Sequence, residues 1–301
     1  MLSTVPPYST GAATVPAMDS HSDSAPVLYV HGNPSRSDPA VRTMDRALAT
    51  IQATNPITGR VDSITNDLAD TVEMKNLHML TADPARNPTL TDFANPDYFL
   101  CAGTFQCSFT GNQVIEEPGF AWNHGDLAPD INTTWLGLAG PGVRNLGMDD
   151  NVWSDHADDR PTVLALVGLK DDYRHDGRVL AEVLDRDAVR GIGDVTAYEQ
   201  LGRVYKQLNA SVGQFGLATV AASTAALESG TSVNDSTYTS VTQDLEKLGQ
   251  QRDQLARQMA DVLDRPVSVA TSGGHGGDDA SRDLEEQGLS LLEQAWLLAS
   301  M

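Results

Sequence analysis

Basic residues are scarce in this chain of 301 residues. Lysine and arginine together number 20, against 41 aspartates and glutamates, so the formal net charge is −21 at pH 7. A protein that holds a nucleic-acid backbone needs clustered Lys and Arg to displace counterions. Attachment to anionic lipid through a polybasic segment needs the same residues. The composition therefore argues against both kinds of partner.

Long hydrophobic runs are also lacking. The longest apolar stretch, Val163 to Leu169, is far shorter than the ~20 residues that cross a bilayer as a helix. No Lys or Arg precedes Arg36, so the basic start of a secretory signal peptide is missing. The sequence predicts neither a membrane span nor an export signal.

Cysteine is nearly absent. Cys101 and Cys107 are the two in the chain, and their spacing is not that of a C-x-x-C site. Two cysteines cannot form a metal cage alone. They form a small loop disulfide if the protein is exported and remain two free thiols if it is not.

Strand and helix patterns alternate over the first two thirds of the chain. Residues 1–26 are rich in Ser, Thr, Pro and Ala, and we interpret them as loop or disorder. A β-type run follows at Val27–Val30, and Asp38-Pro39 then opens a helix that we expect to end at Asn55-Pro56, with Ala40, Met44, Leu48 and Ile51 on one face.

Two further buried strands are predicted, at 98–101 and at 134–138, the second broken by Gly140-Pro141-Gly142. A helix from Pro161 to Val167 ends at Gly168, which occupies the usual position of a C′ glycine. Strands that alternate with helices indicate an α/β layer structure over 27–190.

The last third of the chain predicts a helical extension of two to three helices over 195–301. Thr196 and Glu199 have the spacing of a capping box, and apolar residues then recur at spacings of three and four as far as Phe215. A second such stripe runs from Val241 to Val262, a Gly-rich linker covers 273–277, and a last apolar helix covers 284–298. Helices of this kind pack together, and the last one is apolar enough to need a partner.

Three segments could carry chemistry. His31-Gly32 after a strand has the form of an oxyanion loop of α/β-hydrolases, but that fold requires a G-x-S-x-G nucleophile turn, which is absent. His124 precedes Gly125 and Asp126 in a loop and is a candidate metal ligand, since neutral imidazole binds zinc well. The alternative is an ordinary polar surface histidine.

The third segment combines carboxylates and imidazoles between Asp155 and His175. These groups could add ligands for a divalent metal. The alternative, which we favour, is that Asp158 and Asp159 cap the helix that opens at Pro161, while the acidic loop after Leu169 only connects two elements.

Read in order, these motifs resemble the C-terminal end of the alkaline phosphatase superfamily of phosphatases, phosphodiesterases and sulfatases. The resemblance rests on His124-Gly125, then Gly140-Pro141-Gly142, then the helix start at Asp158 to Thr162, and it covers about 27–190. It implies an alkaline-phosphatase-like α/β/α domain with a parallel sheet, followed by an amphipathic helical tail. It also suggests an exported bacterial protein.

The resemblance implies a hydrolase of phosphate or sulfate esters that uses divalent metal ions, usually zinc. His124 corresponds to the last metal ligand in the superfamily's chain order. No Asp-His pair and no Asp-x-x-x-His precede it, and no nucleophile is recognised. Asp155-His156 and Asp171-x-x-x-His175 have suitable spacings but follow His124, which is the wrong order.

We therefore expect a C-terminal fragment that is inactive alone, binds metal weakly or not at all, and has no catalytic residue of its own. The alternative is a non-enzymatic remnant or helical interaction module that self-associates through its tail.

Overall fold

A computed structural model describes most of the chain, namely residues 2–5, 8–10, 13–21, 25–100, 114–116, 118–119, 124–169, 172–230, 234–264 and 276–300. The chain forms two compact units. The first unit comprises Met1–Thr134, Leu217–Glu246 and Leu298–Met301. The second comprises Trp135–Gly216 and Lys247–Leu297. Cys101 and Cys107 lie outside the described residues.

The described strands all fall in the first hundred residues: β1 Leu2–Val5, β2 Tyr8–Thr10, β3 Ala13–Val15, β4 Met18–His21, β5 Val27–Val30, β6 Gln52–Thr54, β7 Val61–Ser63, β8 Thr65–Ala69 and β9 Leu90–Ala94. The α-helices are α1 Pro39–Ala49, α2 Thr71–Asn76, α3 Pro129–Asn132, α4 Asp159–Leu166, α5 Val195–Asn209, α6 Gln214–Ser229, α7 Ser236–Leu263 and α8 Gly276–Ala299. The mixture is α/β in the broad sense, as predicted.

The first unit is organised around a sheet of five strands in the order β1-β4-β5-β9-β8. Every neighbouring pair in it is antiparallel. This corrects the expected parallel sheet. It also corrects the interpretation of residues 1–26 as loop or disorder, because that stretch contains β1 to β4. Short polar strands are stabilised by cross-strand pairing, which a local composition does not reveal.

Helix α1 begins where the sequence predicts. The Asp38 side chain accepts a hydrogen bond from the Ala40 amide, and Pro39 occupies the first turn. The helix ends earlier than predicted, at Ala49, because the chain turns into strand β6. Met44 and Ala49 pack into the main apolar core with sheet residues such as Leu68, whereas the predicted core residue Ile51 is 42% exposed.

Strand β8 lies at one edge of the sheet, and a helix covers part of that edge. The Leu68 amide donates to the Thr224 hydroxyl of α6 at 2.8 Å, and this hydroxyl also lies 3.4 Å from the Leu68 carbonyl oxygen. An uncovered edge offers unpaired amides to other chains. A threonine side chain thus takes the place of a neighbouring strand at this position.

Two of the predicted strands do not form. Residues 98–100 contain only an isolated bridge position, and Phe99 is 42% exposed. Residues 134–138 are not a strand, and Trp135 is 88% exposed. Both runs are apolar but too short to fix their structure without a pairing partner. By contrast, the predicted turn at Gly142 is present with φ at +87°, as is the helix that ends before Gly168.

The described residues of 195–301 form four helices, α5 to α8, where the sequence predicts two to three. Helix α5 is capped by Asp194, which accepts from the Ala197 amide, and not by Thr196 as predicted. A turn after Asn209 separates α5 from α6 within the single long stripe expected from the sequence. Two of the four glycines in the segment 273–277 assigned to a linker, Gly276 and Gly277, are helical residues of α8.

One stretch among the described residues, 195–229, has the length and mean hydropathy (1.2) of a candidate membrane span. It comprises α5 and α6, and 61% of its most apolar window is buried inside the protein. The core helices of many proteins meet the same criteria, so this is no clear membrane span.

Candidate functional site

The loop that carries His124 belongs to the first unit and is held by the residue that follows the glycine. Gly125 has φ at +90°, a conformation that favours glycine. Asp126 is buried, and its Oδ1 accepts from the Ala128 amide at 2.8 Å. The Asn132 side chain in α3 donates to the Asp126 carbonyl oxygen. The His124 side chain is exposed.

The carboxylates of Asp67 and Asp126 interact within the first unit. Burial raises the pKa of Asp126, and its Oδ2 has no hydrogen-bond partner among the described residues. Burial also raises the pKa of Asp67 to about 6, a shift opposed by its bond to Asn66 and increased by the charge of Asp126. The loop therefore offers an imidazole followed two residues later by a carboxylate that lacks part of its hydrogen bonding.

These donors are fewer than a zinc site needs, since catalytic zinc takes three protein ligands and a water. Within the described ranges, no three His, Cys, Asp or Glu side chains are placed to hold a metal ion. The described residues therefore do not form a complete metal centre.

His31 lies in a turn directly after β5. Gly32 and Asn33 both have positive φ, at +88° and +47°. The His31 Nε2 atom lies 3.1 Å from Asp19 Oδ2 on the paired strand β4. Both side chains are partly exposed, so the contact is a surface pair that ties the turn to the sheet.

Asp155 and Asp158 are joined in the second unit by a lysine that sequence reasoning missed. The Lys206 ammonium lies 2.8 Å from Asp155 Oδ1 and 3.2 Å from Asp158 Oδ1, and its side chain is 1% exposed. Asp158 Oδ1 also accepts from the Arg178 amide at 2.8 Å. Burial raises the pKa of Asp158, and the charge of Lys206 opposes that shift. These contacts give the two carboxylates a structural role.

The favoured capping interpretation of this segment needs a correction. Asp155 caps a short 3-10 helix at His156–Asp158 by accepting from the Ala157 amide, and the Asp158 side chain accepts from the Asp155 amide in return. The Asp158 side chain makes no capping bond to helix α4. The cap is therefore displaced by one turn from the predicted position.

The remaining candidate histidines also lie in the second unit. His156 is almost fully exposed, with its Nδ1 atom 3.4 Å from Asp159 Oδ2. His175 Nδ1 accepts from the Gly177 amide at 3.1 Å. Asp171, the first residue of the Asp-x-x-x-His spacing, lies outside the described residues.

Lys206 carried a weak sequence signal. It sits between Tyr205 and Leu208 in the apolar stripe of α5, and a lysine within such a stripe indicates a buried ion pair or a snorkelling side chain. Its partners lie about fifty residues earlier, so their identity could not be inferred.

No protein-family model, no curated protein and no solved structure matches this chain.

Proposed function

We propose that this chain is the C-terminal part of a metal-dependent phosphoester or sulfoester hydrolase related to the alkaline phosphatase superfamily, with His124 as a metal ligand. The observation that supports this most is the His124 loop. It exposes an imidazole two residues before Asp126, which is itself held by bonds to Ala128 and Asn132.

The order of motifs supports the same assignment. His124, the Gly142 turn and the α4 helix start follow one another as in the C-terminal end of that superfamily, and the turn and helix are formed. In such enzymes the metal, when bound, activates the nucleophile and stabilises the transferred group. This chain would contribute the imidazole of His124. Because no nucleophile and no earlier ligand motif is recognised in it, we expect the chain alone to be inactive.

The test uses a tag placed after Met301 in the source cell, so that whatever polypeptide carries this segment is recovered. Hydrolysis of p-nitrophenyl phosphate, bis-p-nitrophenyl phosphate and p-nitrocatechol sulfate is measured with and without EDTA. His124→Ala is expected to lower EDTA-sensitive hydrolysis by at least about tenfold. Mutation of a residue that only hydrogen-bonds to a metal ligand already lowers activity by about this factor.

His156→Ala is the matched control, because it removes another exposed histidine and is expected to leave the rate unchanged. Equal rates in the His124 variant and the unmodified protein would show that His124 is not a ligand. A recovered protein clearly larger than 32.2 kDa that hydrolyses none of the three esters would contradict the hydrolase assignment itself.

A helical interaction module is the second candidate, and one observation favours it. Helix α8 leaves Leu289, Trp296 and Leu297 exposed at 51%, 64% and 51%. Large apolar side chains grouped on one helix are typical of a surface that a partner covers.

If α8 mediates self-association, the mass from light scattering should exceed 32.2 kDa at high protein concentration. The double variant Leu289→Ser/Trp296→Ser should then be a monomer under the same conditions, whereas Glu286→Gln, an exposed position on the same helix, should not change the mass. A monomer at every concentration would remove this second candidate.

A further inference from the structure

The second unit contains an open cleft with a volume of about 870 Å³. It is lined by residues 181–199 around the start of α5, together with Arg144. Its buried apolar lining consists of Ala181, Leu184, Val189 and Ile192. Ligand sites of proteins commonly have volumes of ~300–1,000 Å³ and combine such an apolar surface with a few polar groups.

Three arginines line the same cleft: Arg144, Arg186 and Arg190. Arg144 is fixed in place, because its amide donates to the Val183 carbonyl oxygen at 2.9 Å and its Nη1 donates to the Glu182 carbonyl oxygen at 2.8 Å. These bonds use neutral acceptors, and the charge of Arg144 acts on Glu199, a carboxylate that also lines the cleft.

The other two arginines are held loosely. Arg190 pairs with Asp187 at 3.0 Å, but both side chains are at least 75% exposed, and such pairs are weak. Arg186 makes no ion pair with any residue that the structure describes. Three arginines therefore line one cleft of a protein whose net charge is −21, and an arginine fork matches the oxygens of a phosphate group.

Three carboxylates share the lining: Asp185, Asp194 and Glu199. Asp194 uses one oxygen to cap α5. The carboxylate oxygens of Asp185 and Glu199 are hydrogen-bond acceptors, and they suit hydroxyl groups of a ligand better than a second anionic group. Among the residues that the structure describes, no aromatic side chain lines the cleft. Proteins commonly stack a nucleobase on aromatic side chains, so this lining does not favour binding of a nucleobase.

We propose that this cleft binds the phosphate monoester of a small sugar. The guanidinium groups receive the phosphate, the carboxylates accept hydrogen bonds from the sugar hydroxyls, and the apolar residues contact its carbon skeleton. The inference is independent of the proposed hydrolase function, because it uses only residues of this cleft and requires neither His124 nor a metal.

The test is isothermal titration calorimetry on the full chain at low ionic strength with EDTA present. The probes are glucose 6-phosphate and trehalose 6-phosphate, with glucose, inorganic phosphate and AMP for comparison. At least one sugar phosphate should bind more tightly than inorganic phosphate, and uncharged glucose should not bind. Arg186→Gln/Arg190→Gln should weaken that binding by about tenfold or more, since each lost charged hydrogen bond costs roughly that factor.

Arg60→Gln/Arg86→Gln is the matched control, because it removes the same charge at two exposed residues that do not line the cleft. The affinity of this control variant for the sugar phosphate should equal that of the unmodified chain. The proposal is overturned if neither sugar phosphate binds, if AMP or inorganic phosphate binds as tightly, or if both double variants lose affinity equally. Since EDTA is present and no turnover is measured, failure here is separate from failure of the hydrolase proposal.

Discussion

Replacing Glu182 by Gln is expected to lower the free energy of unfolding of the second unit by about 3–5 kcal/mol. Arg178 and Glu182 form a two-bond ion pair, with N–O distances of 2.8 and 2.9 Å, and their side chains are 0% and 5% exposed. Burial alone would lower the pKa of Arg178, but its hydrogen bond to Glu182 and the charge of Glu182 raise the pKa above its ordinary value. The variant would remove the carboxylate that makes both bonds to this buried cation and would leave the charge of Asp158 acting on it. Urea unfolding followed by tryptophan fluorescence measures the change.

The matched control is Asp187→Asn, which breaks the exposed pair with Arg190 and should cost less than about 1 kcal/mol. The double variant Arg178→Met/Glu182→Leu should be more stable than Glu182→Gln, because it removes both charges. If Glu182→Gln unfolds at the same urea concentration as Asp187→Asn, the buried pair does not stabilise the second unit.

The second large effect is expected from pH acting on Asp92 in strand β9. This side chain is 3% exposed, and burial raises the pKa of its carboxyl to about 7, against a smaller lowering by the Thr65 hydroxyl. The folded state then keeps a proton that the unfolded state releases near pH 4. The stabilisation is complete below that pH and is lost as the pH rises through about 7, by at most about 4 kcal/mol.

Asp92→Asn should remove this contribution, because an amide has nearly the same shape and does not ionise. Urea unfolding followed by circular dichroism at about pH 5 and about pH 8.5 should show a flatter dependence in the variant than in the unmodified chain. Asp97→Asn, at an exposed position three residues past the strand, should retain the original dependence. A slope unchanged by Asp92→Asn would mean that the carboxyl is ionised in the folded state at low pH.

Local signals were predictable from the sequence, and pairing between distant residues was not. The start of α1 depends on Asp38 and Pro39, and the end of α4 depends on Gly168, so neighbouring residues decide each. Strands β1 and β4 pair Leu2 with His21 in a segment rich in Ser and Thr, where no apolar alternation marks a strand. The prediction of a strand at 134–138 failed for the opposite reason, because the run has β-type residues but pairs with no strand in the described part of the chain.

The same contrast between local and long-range contacts applies to the candidate site. The His124 loop was predictable from His, Gly and Asp in succession, since the glycine turn and the carboxylate bond are local. The ion pairs of Lys206 were not, because charged residues in a sequence do not reveal which of them become buried. The three arginines of the cleft were not singled out either, since Arg144 is brought beside residues 182–185 only by an isolated bridge between Val143 and Leu184.

The threonine that covers strand β8 has a consequence for synthesis of the chain. Thr224 lies 156 residues after Leu68. At ~5–20 residues per second, a ribosome needs roughly 8–30 s to add that length. During this interval strand β8 has been synthesised, but Thr224, whose hydroxyl covers its edge, has not. We therefore expect chaperones to be needed most in this window, and slower translation between these two codons to increase the aggregated fraction.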